Sequence, residues 1–418
     1  MRVLMINKFL YRFGGTSAYM FNLIDQLRVN GHETVLFGMT HENNFPSPYA
    51  SYFVSRVDYN GERGFFTKAV EAFRILYSFE TKRKLRRLIR DTRPTIAHCH
   101  NIYHQLSPSV LHELKSHGIP IVLTAHDYKL ICGSYKMLSH GKVCERCCSG
   151  AHYHASLERC MKGALFPSLV TSVEMYFHRL TGIYDLVDVI VAPSAFLRDK
   201  LLAYGFSPGK VVHIPNFVDV DAYKPTDGHD GYFVYCGRLI EEKGLKTLLD
   251  AMRLVKTGKL LIVGAGPQRQ ELEAFAREHK LQNVTFTGYL TGEVLQNAVR
   301  GAMFSVLPSE WYENNPISVL ETFALGKPVI ASSIGGIPEV ITDGQEGLLF
   351  QSGSAQDLAE KITRLLAHPE ECATMGRAAR KRVVEQFHPE RHYERILAVY
   401  EKLLTQKGLG VTQRPLLN

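Results

Sequence analysis

No apolar run in the 418 residues approaches the roughly 18 needed to cross a bilayer as a helix. The opening MRVLMIN is too short, and too soon interrupted by Lys8 and Arg12, to serve as a secretory h-region, so a cytosolic address is expected. No low-complexity tract occurs, and no internal repeat beyond a likeness between the two halves. Eight cysteines in such a chain read as reduced thiols or metal ligands before disulfides. The loop motif GAGP (264–267) lacks the third glycine of the dinucleotide fingerprint and by itself decides nothing.

What is present is a soluble globular composition, 45% hydrophobic and 22% charged. The length exceeds one ordinary core and predicts two domains or three. The net charge of +8 favours anionic partners such as nucleotide phosphates, phospholipid head groups or nucleic acid, without choosing among them.

Short strands alternate with helical stretches from the start. RVLMIN (2–7), ETVLFGM (33–39), TIAHCHN (95–101), IPIVLTAHD (119–127), VDVIVAPS (187–194) and KVVHIPN (210–216) suit a parallel sheet covered on both faces. A polar segment, FVDVDAYKPTDGHDG (217–231), has the Asp, Gly and Pro of a linker. The pattern then restarts with YFVYCGRL (232–239), KLLIVGAG (259–266), NVTFTGYL (283–290), FSVLPS (304–309), PVIASS (328–333) and GLLF (347–350). The fold class predicted is α/β, with two doubly wound Rossmann-like domains facing a central cleft. Residues 1–216 form the first domain, residues 217–387 the second, and the helix at about 388–418 packs back across the first.

Residues 312–330, YENNPISVLETFALGKPVI, pose a narrower question. Asn315 is a good N-cap, Pro316 suits the first helical position, and Gly326 with Pro328 makes a stop. The helix from about Pro316 to Leu325 is apolar on nearly every side, yet it carries Glu321, and no cation lies nearby in the sequence. A carboxylate taken out of water needs hydrogen-bond partners, and a ligand rich in hydroxyls supplies them. The amides of Ile317, Ser318 and Val319 at the helix start suit a diphosphate, assisted by Arg238 and Lys243 of CGRLIEEKGL just past a strand end. Glu321 would then accept from ribose hydroxyls and Glu313 from those of a sugar. Gly14-Gly15, before a helix, lets amides approach a phosphate or simply makes a turn.

Glu313-x7-Glu321, with GRLIEEKG upstream and GKPVIASSIGGIPEVITDGQEGLLF downstream, resembles family 4 of the retaining glycosyltransferases, which have the GT-B fold. The likeness runs from the Gly14-Gly15 loop to MGRAARKRVVEQF (375–387). It implies a hexosyltransferase that moves a sugar from a nucleotide diphosphate sugar to an acceptor hydroxyl, with retention and without a catalytic metal. The same resemblance, and not the net charge, implies no nucleic-acid partner. By position it assigns Glu313 to the donor sugar, Glu321 to the ribose, Arg238 and Lys243 to the diphosphate, and the backbone of Gly288 and Tyr289 to the base. Gly15 would meet the phosphate end and His126 the sugar ring. Rival readings are an epimerase or phosphorylase on the same fold, and a sugar-nucleotide-binding subunit without catalysis. In one respect the chain departs from the family: Pro316 stands where many members have glycine, which removes an amide and shifts phosphate contacts to the amides that follow.

His98 and His100 are expected to divide, one facing the cleft and one packing. Asp219-Val220-Asp221 reads as a turn. CERC with Cys132 and Cys160 offers four thiolates (Cys132, Cys144, Cys147, Cys160) for a structural zinc, against the alternative of reduced thiols in a loop insertion bordering the acceptor side. The basic, aromatic-laced stretch 65–91 suits either an anionic inner-leaflet surface, with a lipid-linked sugar acceptor, or a solvated helix face.

Overall fold

The structure is a computed structural model that describes residues 1–12, 14–56 and 74–408. The strands are β1 (Arg2–Ile6), β2 (Glu33–Phe37), β3 (Ile96–Cys99), β4 (Ile121–Thr124), β5 (Leu138–Ser139), β6 (Lys142–Val143), β7 (Val189–Ala192) and β8 (Val211–His213), then β9 (Tyr232–Cys236), β10 (Lys259–Val263), β11 (Val284–Gly288), β12 (Ala302–Leu307), β13 (Val329–Ser332) and β14 (Gly347–Phe350). They build two six-stranded sheets, ordered β2-β1-β3-β4-β7-β8 and β11-β10-β9-β12-β13-β14, and the antiparallel pair β5-β6. Every pairing within the two large sheets is parallel. The predicted α/β class and its two doubly wound halves are what is found.

Side-chain alternation explains the continuous apolar runs. Leu4 and Ile6 of β1 enter one core cluster with Phe37 and Cys99, while Val3 and Met5 enter another with Leu36, Ile96 and Val122. Both faces are therefore covered, and every residue of β3 and β4 is buried. The helix Pro389–Gln406 puts Tyr393, Ile396, Tyr400 and Leu403 into the second of these clusters, so it lies against the first sheet. At the crossing Val218 N donates to Phe387 O at 3.2 Å, which sets the two inter-sheet passages side by side. Asp219 caps the turn Val220–Ala222 by accepting from the Asp221 amide, so the Asp-Val-Asp triplet is a turn.

Parallel strands carry their carboxyl ends to one edge of each sheet, and the chemistry-bearing loops leave from there. In the first sheet register pairs Ile6 with Cys99 and Thr124 with Val191, aligning the ends that lead to Gly14, His100 and His126. In the second, Val263 pairs with both Cys236 and Gly288 across an irregularity, which brings the loops after β9, β10 and β11 together. The glycines of GAGP serve that convergence. A Cβ at Gly264 would meet Gly237 O at 1.8 Å, and one at Gly266 would meet Leu239 O at 2.2 Å.

Of the basic stretch, residues 65–73 lie outside the described residues. The remainder forms the helix Phe79–Thr92, capped by Ser78, with Leu85, Leu88 and Ile89 buried in the first core. Arg86 holds the buried Glu113 with two bonds of 2.8 and 3.0 Å. This part is a solvated face over an ordinary core contact.

Candidate active site

The helix of the Glu-x7-Glu motif spans Ile317–Ala324, and its start differs from expectation. Pro316 is the capping residue, and no side chain caps the turn. Asn315 does not: its Oδ1 is buried without a hydrogen-bond partner among the described residues, and its carbonyl accepts from Asn216 Nδ2 at 2.7 Å. Val319 is also unavailable as a ligand donor, since its amide donates to Pro316 O at 3.0 Å. Ile317 and Ser318 remain as first-turn donors at the positive end of the helix dipole. Across the cleft sits Gly15, at the first turn of the helix Gly14–Val29, where a Cβ would lie 3.5 Å from Ile317 Cδ1. The two candidate phosphate-binding turns therefore face one another.

Glu313 is buried beside this point. Its Oε1 accepts from Lys243 Nζ at 2.5 Å, Ser309 Oγ at 2.6 Å and Trp311 Nε1 at 2.9 Å. Burial pushes its carboxyl pKa up, but the Lys243 charge and these three donors outweigh it and hold the pKa below the ordinary value. Lys243 also sits 5.6 Å from the centre of the Trp311 ring. It ends the turn Glu241–Lys243, followed by Gly244 at φ 65, where a side chain would strike Pro308 O. The sequence assigns Lys243 to a diphosphate, and the structure gives it first to Glu313.

Glu321 has a partner that sequence reasoning missed. Tyr223, from the linker, donates its hydroxyl to Glu321 Oε1 at 3.1 Å. Withdrawal from water raises the Glu321 pKa and the tyrosine bond only partly offsets it. Arg238 is exposed just after β9, and among the described residues no carboxylate pairs with it. Gly288 closes β11 at φ 85 and is buried, its carbonyl accepting from Gly264 N at 2.8 Å, while Tyr289 beside it is 76% exposed.

His126 follows β4 and its Nε2 shares a proton with His100 Nδ1 at 3.0 Å. Burial depresses its pKa to about 3, so the ring is neutral at physiological pH. The expected division between His98 and His100 is not found. Residues two apart on a strand share a face, and the two rings stack with centroids 4.6 Å apart, both fully buried. His98 is bonded to Tyr400 Oη at 2.6 Å and Thr124 Oγ1 at 2.7 Å, beneath the C-terminal helix.

The loop SIGGIPE makes the junction between the sheets. Glu339 accepts from the amides of Ala195 and Phe196, both at 2.6 Å, at the N-terminus of the helix Ala195–Tyr204. Gly335 and Gly336 pass so close to the Glu313 loop that a Cβ at Gly336 would meet Asn314 O at 1.8 Å. Asn314 in turn bonds Ser194 Oγ at 2.6 Å and Ala125 O at 3.1 Å, one residue before His126. The signal was the glycine pair, but its partner lay twenty residues away in sequence.

The zinc expectation for Cys132, Cys144, Cys147 and Cys160 is not supported. Among the described residues no three or more His, Cys, Asp or Glu side chains form a set able to hold a metal ion. Cys132 and Cys147 are buried thiols, and Cys132 Sγ lies 3.3 Å from Ser134 Oγ. Burial, then the neighbouring thiols, pushes Cys147 up to about 12, which keeps it protonated.

Residues 13–222 match the profile of Glycosyltransferase Family 4 and residues 221–382 that of Glycosyl transferases group 1. The chain is 27% identical over 299 residues to the sulfoquinovosyl transferase SQD2 of Arabidopsis thaliana, covering 66% of this chain and 55% of that protein. The chain spans about half the length of the curated relatives it matches. Among solved structures, sucrose-phosphate synthase from Thermosynechococcus elongatus superposes with a TM-score of 0.73 at 21% identity, covering 97% of this chain and 99% of that one. HepE of Anabaena, in complex with UDP and glucose, gives 0.68 at 14% identity, covering 96% of this chain and all of the other. Likeness at this level shows the shared fold, while the profile match over half of the length shows the family: the chain belongs to glycosyltransferase family 4 and has its two-domain GT-B fold.

Proposed function

We propose that this chain is a retaining hexosyltransferase, moving a sugar from a nucleotide diphosphate sugar to an acceptor hydroxyl in cell-surface polysaccharide or glycolipid assembly. Residues 217–387 take the donor. Residues 1–216, with residues 388–418, of which 409–418 lie outside the described ones, take the acceptor. The observation that carries the reading is the grouping of Glu313, Lys243 and the amides of Ile317 and Ser318 directly opposite Gly15.

In this reading the diphosphate lies between Gly15 and the helix start. An ammonium has three donor positions, so Lys243 bridges Glu313 and a phosphate oxygen, while the exposed Arg238 guanidinium forks onto the diphosphate. Glu313, held ionised, keeps acceptor capacity for donor-sugar hydroxyls. Glu321 and Tyr223 together mark the ribose position, and the Gly288-Tyr289 backbone the base. Neutral His126 sits at the sugar ring. The acceptor oxygen bonds to the anomeric carbon on the face from which the diphosphate departs. The bond from that carbon to the phosphate oxygen breaks, and the leaving phosphate takes the acceptor's proton. Positive charge and amide dipoles fixed around the diphosphate favour the transition state over the bound donor.

The test begins with slow hydrolysis of a panel of UDP, GDP and ADP sugars, which needs no knowledge of the acceptor. With the donor in hand, Glu313→Gln and Arg238→Ala are each expected to lower kcat/KM by about a hundredfold or more. Turnover that survives both nearly unchanged would show the chemistry to lie elsewhere.

A further inference from the structure

The helix Leu165–Leu180 is turned inside out. Its buried residues are Ser168, Thr171, Ser172, Glu174, Met175 and His178, polar but for one. Its exposed apolar ones are Leu165, Phe166, Leu169, Val173, Phe177 and Leu180, from 38% exposed at Phe177 to 86% at Leu180. At about 100° per residue these six fall within an arc of about 120°. Ser168, Ser172 and Glu174 of this inner face are hydrogen-bonded to the rest of the domain, which fixes the orientation. Lys129 Nζ donates to Glu174 Oε2 at 2.8 Å, both ends almost wholly buried, and Ser172 Oγ donates to His152 O at 2.8 Å. Because Lys129 lies three residues after His126, this face is tied to the acceptor side of the cleft.

An apolar stripe of this extent on a soluble surface marks a contact. Charge decides what fits it. Between Arg159 and Thr181 the only acid is Glu174, which is buried, whereas Arg159 and Lys162 are exposed at the N-terminal end of the stripe. Arg179 turns to the other side of the helix, its guanidinium 5.2 Å from the centre of the Tyr204 ring. We propose that the outer face of Leu165–Leu180 docks on an anionic lipid surface. The apolar arc enters the acyl boundary, and Arg159 and Lys162 at its N-terminal end meet the head groups. This goes beyond the donor chemistry proposed above and does not rest on it.

The test is co-sedimentation of the full chain with vesicles of phosphatidylcholine alone and of phosphatidylcholine with phosphatidylglycerol. The chain is expected to pellet with the anionic vesicles, less so at high salt. The variant Leu169→Asp with Val173→Asp, both at exposed positions that leave the fold intact, is expected to lower the partition coefficient by more than about tenfold. Arg159→Glu with Lys162→Glu should lower it on anionic vesicles only. A wild-type chain that stays in the supernatant with both, or an aspartate variant that pellets like wild type, overturns the proposal. So does light scattering that finds a wild-type dimer, lost in the aspartate variant, without vesicle binding. Nucleotide-sugar hydrolysis by the same samples keeps the two readings apart. Hydrolysis without vesicle binding overturns the docking alone, and vesicle binding without hydrolysis overturns the transferase reading alone.

Discussion

Replacing Lys243 by methionine removes the ammonium from Glu313 and keeps most of the side-chain volume. Glu313 is 8% exposed and Lys243 15%, so little water can take the lost partner's place. Removing one member of a buried pair costs about 3–5 kcal/mol. The Ser309 and Trp311 donors remain, which sets the expectation near the lower end, about 3 kcal/mol. The sign with pH follows from the carboxyl. In the wild type the Glu313 pKa is below its ordinary 4.5, so its contribution is present above that value and lost as pH falls further. Without Lys243 the buried carboxylate is unfavourable, its pKa rises, and protonation relieves the penalty. The gap between variant and wild type should therefore narrow from pH 7 to pH 4. The chain's single tryptophan, Trp311, bonds to Glu313 and is the natural fluorescent reporter of denaturant unfolding here. Lys243→Met with Glu313→Gln, which leaves no charge, should recover most of the stability, with donor turnover still lost. A single-variant loss below about 1 kcal/mol that does not change with pH would refute the account of this pair.

Tyr223→Phe should destabilise the empty enzyme by about 1–2 kcal/mol by leaving the recessed Glu321 without its hydroxyl donor. It should also tighten the donor identified by hydrolysis, because ribose no longer competes with the tyrosine; weaker donor binding by calorimetry would contradict this. His98, His126 and His392 all have pKa values pressed down to about 3 by burial, against about 6.5 when unfolded. Below pH 6.5 the unfolded chain binds more protons than the folded one, so stability falls with pH by about 2 kcal/mol per histidine between pH 7 and pH 5. Denaturant midpoints at the two pH values check it, and equal midpoints would be inconsistent with neutral buried rings.

The strands of both large sheets were legible because their signal is local. Each is a short apolar run ending in a loop, and two-faced burial in a parallel sheet demands that composition at every position. The β5-β6 hairpin was not, since two-residue strands carry no period. The helix Leu165–Leu180 was equally hidden. Its apolar periodicity is that of a core helix, and nothing in the sequence says which face turns inward until Lys129 claims Glu174.

The candidate site divides in the same way. Sequence alone set Glu313 eight residues before Glu321 with a helix start between them, because a proline, a following glycine and helical spacing are properties of neighbours along the chain. It also placed Gly15 and Ile317 where two strand-to-helix loops give way to their helices. Tertiary structure decided that those two loops meet, that Asn216 holds the backbone of Asn315, and that Tyr223 answers Glu321. It likewise left Cys132 and Cys147 as buried thiols and Cys144 and Cys160 partly exposed, with no set of three or more ligands able to hold a metal ion among the described residues. A partner for a buried polar group can come from anywhere in the chain, and only the packed fold brings it within hydrogen-bond reach.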